Sequence, residues 1–204
     1  MRILAIDTAT FEAGVALCLD ERVLERRLAW RSAFRECAPA VEALLDEAGL
    51  GWSDLDGLAV PAGPGSFTGL RIGAALVLAI AELRELPLFA PSTLVVVAEA
   101  CARPETTPVC ASLDARRGRR YVALLERKGK AWVTVRGPVD IDADRVGAWA
   151  DGVPHVQLEK RLDGSSPAVA LAALVARAPD AYRLSAPGAL RIAYARPPTE
   201  ASGR

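Results

Sequence analysis

Three glycines spaced four residues apart, Gly65, Gly69 and Gly73, constrain this sequence more than any other feature. They lie in the segment GPGSFTGLRIG at residues 63–73, which leads into a predicted helix. Residues four apart share one face of a helix, and a glycine inside a helix costs about 1 kcal/mol relative to alanine. Close approach of another backbone is the usual compensation. The segment therefore predicts a helix whose bare face presses against a neighbour, either within this chain or in a second subunit.

The glycine segment fits neither of two common phosphate-binding motifs. A Walker A loop reads GxxxxGK[ST], and this chain has Leu70-Arg71 after Gly69, so the Lys is missing. A dinucleotide-binding fingerprint reads GxGxxG, whereas Gly63, Gly65 and Gly69 are spaced as GxGxxxG. The segment therefore favours helix packing over phosphate binding.

Hydrophobic periodicity and turn residues predict an α/β chain with two similar halves. The predicted strands cover residues 3–6, 14–19, 23–30, 58–60, 88–90, 109–113, 121–126 and 131–135, and the predicted helices cover 33–48, 66–86, 94–102, 142–150 and 166–178. Residues 103–108 mark the predicted boundary, so we expect an N-terminal domain at 1–103 and a smaller C-terminal domain at 104–204. The tail from Arg196 is predicted to be disordered. Each half opens with three strands, the first ending near an Asp, which suggests a duplicated unit.

Composition narrows the functional class. Hydrophobic residues make up 51% of the chain, enough for a core, and 25 Lys plus Arg balance 25 Asp plus Glu. A protein that binds nucleic acid alone usually carries a basic excess, so we expect a partner to hold most of any RNA. The apolar run at residues 72–81 predicts a buried helix face, because a bilayer span takes about 20 residues. With no signal-peptide pattern visible, we expect a cytosolic protein without membrane contact.

Few side chains are available for chemistry. His155 is the single histidine, which excludes metal sites with two imidazole ligands, and no GxSxG motif accompanies it. We therefore predict no catalytic residue, no metal site, and a structural or surface role for His155. Cys18, Cys37, Cys101 and Cys110 lie in apolar stretches without metal-ligand spacing and are predicted to be reduced core residues.

Several segments together resemble one known family. MRILAIDTAT at residues 1–10, the glycine segment at 63–73, STL at 92–94 and DARRG at 114–118 are similar to segments of the TsaB family, also called YeaZ. Motifs carry the resemblance over residues 1–126, and length and pattern carry it over the rest. In one departure, residues 32–36 read SAFRE, where family members usually have a His followed by a hydroxyl or acidic residue.

The resemblance implies both a fold and a role. The fold is two tandem domains of the actin, sugar-kinase and heat-shock-ATPase (ribonuclease-H-like) type, each a mixed sheet with helices. The role is a non-catalytic scaffold and activating subunit of the complex that transfers threonylcarbamoyl to the adenosine next to the anticodon of tRNAs reading codons that start with A. The implied partners are a TsaD-type catalytic subunit and a TsaE-type ATPase, with tRNA bound through the complex and a homodimer when the chain is isolated. No cofactor is implied for this chain, because ATP and Mg²⁺ are handled mainly by the partner subunits.

The implied pairing with a partner uses the first two long helices. We expect the interface at Phe67, Gly69, Leu70, Gly73, Cys37 and Val41.

The first strand ends in a polar turn that has two interpretations. In active relatives of the superfamily, the position of Asp7, Thr8 and Thr10 holds phosphate and Mg²⁺, so the resemblance implies a degenerate phosphate site here. The alternative, from the residues alone, is a turn in which Asp7 and Thr8 satisfy backbone N–H groups.

Four arginines, Arg116, Arg117, Arg119 and Arg120, surround the predicted turn at 114–118. Such a run is either a solvated turn or a contact for RNA phosphates or an acidic partner surface.

Two functional classes therefore stay open at the level of sequence. The first is the interaction subunit, and the second is a stand-alone ATP-dependent small-molecule kinase of the same superfamily. The kinase needs two phosphate loops and an adenosine-binding glycine pair, and the sequence offers one such loop at best.

Overall fold

A computed structural model describes residues 1–20, 22–29, 31–103, 105–158 and 166–194. These residues form two mixed β-sheets with α-helices on their faces, which confirms the predicted α/β class. The predicted disordered tail from Arg196 lies outside the described residues.

The first sheet has the strand order β3-β2-β1-β4-β5. Its strands are β1 (Arg2–Asp7), β2 (Gly14–Leu19), β3 (Arg22–Arg27), β4 (Gly57–Ala59) and β5 (Leu88–Phe89). The predicted antiparallel meander is confirmed, while β4 and β5 run parallel to β1. Strand β3 ends three residues earlier than predicted. Asp7 therefore lies at the edge of the sheet where the parallel strands end.

The second sheet has the strand order β8-β7-β6-β9. Its strands are β6 (Val109–Arg116), β7 (Arg119–Lys128), β8 (Ala131–Asp142) and β9 (His155–Gln157). Strand β8 extends seven residues beyond its predicted end, because register shifts opposite Val122 and Leu124 let it pass Gly137 and Pro138 and continue pairing with β7. Strand β9, which the sequence left as a loop entering a strand, pairs in parallel with β6.

The helices are α1 (Ala33–Ala48), α2 (Phe67–Arg84), α3 (Thr93–Cys101), α4 (Val146–Ala150), α5 (Pro167–Arg177) and α6 (Pro179–Tyr182). Serine side chains cap three of them: Ser66 accepts from Gly69 N–H, Ser92 from Leu94 N–H and Ser166 from Val169 N–H. The helix predicted at 142–150 is shorter, since its first residues form a 3-10 turn before α4.

The elements stack in five layers. Helices α1 and α2 cover the outer face of the first sheet, α3 and α5 fill the space between the two sheets, and α4 covers the far face of the second sheet. One hydrophobic cluster includes Ile3 and Ala16 of the first sheet together with Ala111 and Leu125 of the second. The two halves of the chain therefore share one hydrophobic core. The division into domains at residues 1–103 and 104–204 stays a prediction.

A partly buried ion pair joins two helices of the middle layer, and a hydrogen bond from the same carboxylate reaches the second sheet. Glu99 on α3 accepts two hydrogen bonds of 2.7 Å from the Arg177 guanidinium on α5. It also accepts one of 2.9 Å from the indole N–H of Trp132 on β8. Each partly buried polar group thus has a partner, which is the condition for placing charge in a core. Among the described helices, none has the length and apolarity that a bilayer span requires.

Candidate functional site

The polar turn after β1 is built around Asp7. One carboxylate oxygen of Asp7 accepts hydrogen bonds from the backbone N–H groups of Ala9 (2.8 Å) and Thr10 (3.2 Å). The other oxygen, Oδ2, is buried without a hydrogen-bond partner among the described residues. Burial raises the pKa of Asp7 to about 6, and the two backbone hydrogen bonds only partly offset it. For Asp7 the turn interpretation is therefore confirmed, since its carboxyl group satisfies backbone N–H groups.

The glycine face of α2 packs against this same turn. The Thr8 hydroxyl donates a 2.6 Å hydrogen bond to the carbonyl oxygen of Gly69. A Cβ at Gly69 would lie 2.8 Å from the carbonyl carbon of Thr8, and one at Gly73 would lie 2.7 Å from the Thr8 hydroxyl oxygen. A Cβ at Gly65 would lie 2.7 Å from the carbonyl oxygen of Ala9. The expectation that Gly69 and Gly73 admit a second chain is wrong, because Thr8 of this chain occupies that space.

The turn does not fit a bound nucleotide phosphate as it is folded. Asp7 and Thr10 are buried, and Thr8, which is 2% exposed at the wall of a groove, has its hydroxyl group engaged with the Gly69 carbonyl, so these side chains offer almost no surface to a phosphate or its Mg²⁺. The glycines that would form a phosphate cradle contact protein backbone instead. Gly63 is covered by Ala193, whose N–H donates a 2.7 Å hydrogen bond to the carbonyl of Ala62.

Most of the residues expected at a partner interface lie inside the monomer. Cys37 and Val41 of α1 and Leu70 of α2 are buried in the core under the first sheet's outer helices. Burial raises the pKa of the Cys37 thiol to about 11, and the negative charge of Asp7 adds to the shift. Phe67 is the exception, with 45% of its surface exposed. Of the six expected residues, Phe67 alone is available to a partner without a change in the fold.

The sequence analysis missed an exposed apolar surface on the outer side of α1 and α2. We define this α1–α2 face by the outward residues Phe34, Thr68, Ile72, Ala75, Ala79 and Leu83. Phe34 is 75% exposed and Leu83 is 76% exposed. The prediction that residues 72–81 form a buried helix face holds only for Gly73, Ala74, Val77 and Ala81.

A groove of about 500 Å³ lies at one end of the α1–α2 face. It is lined by Thr8, Arg31, Ala33, Phe34, Thr68, Gly69 and Ile72. An aromatic contact adjoins this end, where the rings of Phe67 and Tyr194 lie 5.1 Å apart and the Arg71 guanidinium lies 4.8 Å from the centre of the Phe67 ring. Large exposed apolar surfaces are typical of binding sites for other proteins. The sequence pattern could have indicated this face, because α2 is apolar on nearly every side and only one side of a helix can face the sheet beneath it.

The arginine turn divides into two pairs with different surroundings. Arg119 is paired with Asp140 and Asp142 on β8, at 2.7 Å in both cases. The Arg120 guanidinium donates a 2.8 Å hydrogen bond to the Ser112 hydroxyl. These two arginines therefore hold β6, β7 and β8 together.

The other two arginines are exposed at the tip of the β6–β7 hairpin. Arg116 and Arg117 adopt left-handed backbone conformations, with φ of 68° and 54°. The Arg116 guanidinium lies 3.9 Å from the centre of the Phe11 ring, which joins this hairpin to the turn after β1. Arg117 is exposed at the same tip, and an RNA or acidic-partner contact here stays a prediction.

His155 lies at the exposed edge strand β9. Its Nε2 atom is 2.6 Å from the Ser112 hydroxyl oxygen. The sequence analysis missed this Ser–His pair, because it depends on the long-range pairing of β6 with β9. Ser112 is fully buried and also accepts a hydrogen bond from Arg120. The hydroxyl group is therefore closed to a substrate, and the arrangement supports a structural role for His155.

Comparison with known proteins connects this geometry to one family. A family profile described as TsaD, tRNA N6-adenosine threonylcarbamoyltransferase, matches residues 27–174, which is more than half of the chain. The chain is 41% identical over 129 residues to the tRNA threonylcarbamoyladenosine biosynthesis protein TsaB of Escherichia coli strain K12, covering 62% of this chain and 56% of that protein. It is 35% identical over 130 residues to the protein of the same name from Bacillus subtilis strain 168, covering 63% of this chain and 56% of that protein. The chain thus spans about half the length of the curated relatives it matches.

The fold has a solved counterpart. A structure of YeaZ from Pseudomonas aeruginosa superposes with a TM-score of 0.74 at 25% sequence identity. The superposition covers 94% of this chain and 99% of that one.

Proposed function

The chain belongs to the family of TsaD and its TsaB (YeaZ) relatives, and from this premise we propose that it is a non-catalytic subunit of a tRNA threonylcarbamoyladenosine-forming complex. In this role it binds a TsaD-type catalytic subunit and supports transfer of threonylcarbamoyl to the adenosine next to the anticodon. A TsaE-type ATPase and tRNA join through the complex, and the isolated chain forms a homodimer.

The α1–α2 face is the observation that carries this proposal. Phe34 and Leu83 each expose about three quarters of their surface, and the smaller residues Ala75 and Ala79 lie between them. Leaving this much apolar area in water is unfavourable by about 25 cal/mol per Å², so a partner that covers the face gains that free energy. The small residues allow a partner helix to approach closely.

The absence of a catalytic role is proposed on the geometry of two sites. Asp7 is buried in the turn after β1, where residues of the same chain pack around it. Ser112, beside His155, is also buried and therefore closed to a substrate. A group of three or more metal-binding side chains is absent from the described residues. The kinase alternative is not favoured, because the relatives carry the tRNA-modification name and the glycine segment serves as a packing surface.

Two substitutions on the α1–α2 face test this proposal. We expect Leu83→Glu and Phe34→Glu to abolish co-purification with the TsaD-type subunit of the same organism, and to lower tRNA modification by the reconstituted complex. Their melting temperatures should stay near that of the wild type, because exposed substitutions usually change stability by less than about 0.5 kcal/mol. Val135→Glu is the matched control, since Val135 is an exposed apolar residue (47%) on β8 of the second sheet.

Unchanged capture of the catalytic subunit by both face variants would contradict the proposal. So would a modification assay that runs at the same rate with and without this chain.

A further inference from the structure

The last described part of the chain crosses the first half of the molecule. The backbone N–H of Leu184 donates a 2.9 Å hydrogen bond to the carbonyl oxygen of Leu88 on β5, and residues 187–189 then lie against α2. The N–H of Ala193 donates a 2.7 Å hydrogen bond to the carbonyl oxygen of Ala62, just before the glycine segment. Residues 185–194, which we call the C-terminal segment, therefore connect the edge of the first sheet to the start of α2.

The end of the C-terminal segment is held loosely. None of its residues, all of which the structure describes, is buried. Leu190 packs against the core of the first sheet. Beyond it, the segment is held by the hydrogen bond of Ala193 and by the contact of the Tyr194 ring with the Phe67 ring, 5.1 Å away. Parts of a protein with few buried contacts open at a small fraction of the free energy of global unfolding. Residues 191–194 can therefore leave the surface while the rest of the fold stays intact.

The surface beneath this end has three features that suit an extended peptide. The carbonyl oxygen of Ala62 accepts a backbone N–H, as in the pairing of two strands. Gly63 has no side chain, and a Cβ there would lie 2.5 Å from the carbonyl oxygen of Ala193, so glycine permits the close approach of a second backbone. The ring of Phe67 receives the ring of Tyr194. Backbone hydrogen bonding combined with a place for a side chain is how exposed strands bind peptides.

This surface is fixed by bonds that do not involve the C-terminal segment. The N–H of Ala62 donates a 2.8 Å hydrogen bond to the carbonyl oxygen of Pro91. The carbonyl oxygen of Gly63 accepts hydrogen bonds from the N–H of Thr93 at 2.9 Å and from the Ser92 hydroxyl at 3.1 Å. These bonds tie the surface to the start of α3. The surface is therefore preformed, and a preformed site loses less free energy to ordering when it binds a ligand.

We propose that the surface formed by Ala62, Gly63 and Phe67 binds an extended segment of the TsaD-type catalytic subunit, and that the C-terminal segment occupies this surface in the free chain. The chemistry of the occupant follows from Ala193 and Tyr194. It has a free backbone N–H for the Ala62 carbonyl, a backbone that passes close to Gly63, and an aromatic side chain on the next residue. The inference rests on the proposed function, because the occupant belongs to the same partner.

The catalytic subunit fits as the occupant because the site continues the proposed docking surface. Phe67 is followed by Thr68 and Gly69, which line the groove of the α1–α2 face. The attached C-terminal segment competes for the site at an effective concentration in the millimolar range, so loose peptides are excluded. A subunit that is already docked on the α1–α2 face presents its own segment at a comparable concentration and can displace the C-terminal segment.

Two truncated chains and a peptide test the site without the catalytic subunit. A chain that ends at Leu190 leaves the site empty, and a chain that ends at Tyr194 is the matched control, because it keeps the C-terminal segment. An acetylated, amidated peptide of residues 191–194 should shift the Gly63 amide resonance of the shorter chain in an NMR titration. Its binding to the control should be at least about tenfold weaker, because the attached segment competes. Replacing the tyrosine of the peptide by alanine should weaken binding to the shorter chain by about tenfold.

Capture of the catalytic subunit then tests the occupant. The chain that ends at Leu190 should bind this subunit about tenfold more tightly than the chain that ends at Tyr194, because its site is always open. Tyr194→Ala should tighten binding in the full chain, and Tyr194→Phe, which keeps the ring, should bind like the wild type. Hydrogen exchange of the Ala193 amide should be faster in the complex than in the free chain. Melting temperatures check that each variant is folded.

Three results would overturn the inference: a shorter chain that does not bind the peptide, a control chain that binds it equally well, or equal capture of the catalytic subunit by the two truncated chains. With equal capture the proposed function stands, because the subunit is still bound. If the shorter chain binds the peptide and no chain captures the subunit, the proposed function is wrong, and the occupant assigned here is wrong with it. Tyr194→Ala provides both comparisons in a chain of full length if the shorter chain does not fold.

Discussion

Replacing Gly69 by alanine is the sharpest test of the close packing between α2 and the turn after β1. The added Cβ would lie 2.8 Å from the carbonyl carbon of Thr8 and closer still to its oxygen. The obstacle is backbone, which cannot rotate away as a side chain can, so the first turn of α2 must move. That movement also strains the 2.6 Å hydrogen bond from the Thr8 hydroxyl to Gly69.

The expected cost follows from three contributions. Alanine is favoured over glycine in a helix by about 1 kcal/mol, which opposes the destabilisation. Overpacking of a close contact costs about 1–3 kcal/mol, and loss of the hydrogen bond costs about 1 kcal/mol. The net loss is about 2 kcal/mol, which lowers the melting temperature of a chain this size by about 4–8 °C.

Thermal unfolding followed by circular dichroism measures this loss. Gly147→Ala on α4 is the matched control, because no atom lies within 4 Å of its added Cβ, and its melting temperature should stay the same or rise. Thr8→Ala supplies a second check. It removes the hydroxyl that a Cβ at Gly73 would meet, so it should relieve Gly73→Ala and leave Gly69→Ala unrelieved. A Gly69→Ala protein that melts like Gly147→Ala would refute the reasoning.

Two further predictions concern charged groups. Because burial raises the pKa of Asp7 to about 6, its folded form holds a proton more tightly than the unfolded chain, and its contribution to stability falls as pH rises from about 4 to 6. The Asp7→Asn variant should lack this decline in stability when melting temperatures are measured between pH 4 and 8. If the variant and the wild type show the same pH dependence, the argument from burial of Asp7 is wrong. Arg119→Glu should lower the melting temperature by breaking its pair with Asp140, whereas Arg117→Glu should leave it unchanged. Equal melting temperatures of the two arginine variants would contradict the structural role given to Arg119. If the hairpin contacts tRNA, Arg117→Glu should also weaken tRNA binding by the assembled complex and make that binding less dependent on salt concentration.

Local patterns in the sequence predicted the local structure well. The helix at α1 follows from apolar residues at helical spacing and a left-handed Gly49 after its end. Strands β1 and β2 follow from short apolar runs between turn residues, and α2 from Ser66 at its cap and Pro87 beyond its end. These signals lie within about ten residues of the elements they specify, so no tertiary information is needed to use them.

Contacts between distant segments were beyond the reach of the same patterns. The glycine spacing correctly predicted close backbone approach, but it carried no information on which backbone approaches, and the answer is Thr8, sixty-one residues earlier. Likewise, the arginine run did not reveal that Arg119 faces Asp140 across β7 and β8. His155 gained its partner Ser112 through a parallel strand pair that adjacent sequence does not specify.

Helix α2 therefore performs two separable tasks with opposite faces. Its inner face is tied to the turn after β1 through Gly69 and Thr8, and this contact sets the position of the helix on the sheet. Its outer face, represented by Leu83, is free in the monomer. A change on the inner face should reduce stability and partner binding together, because the outer face moves with the helix. A change at Leu83 should reduce binding alone, so comparing the two classes of variant separates the position of the docking surface from its chemistry.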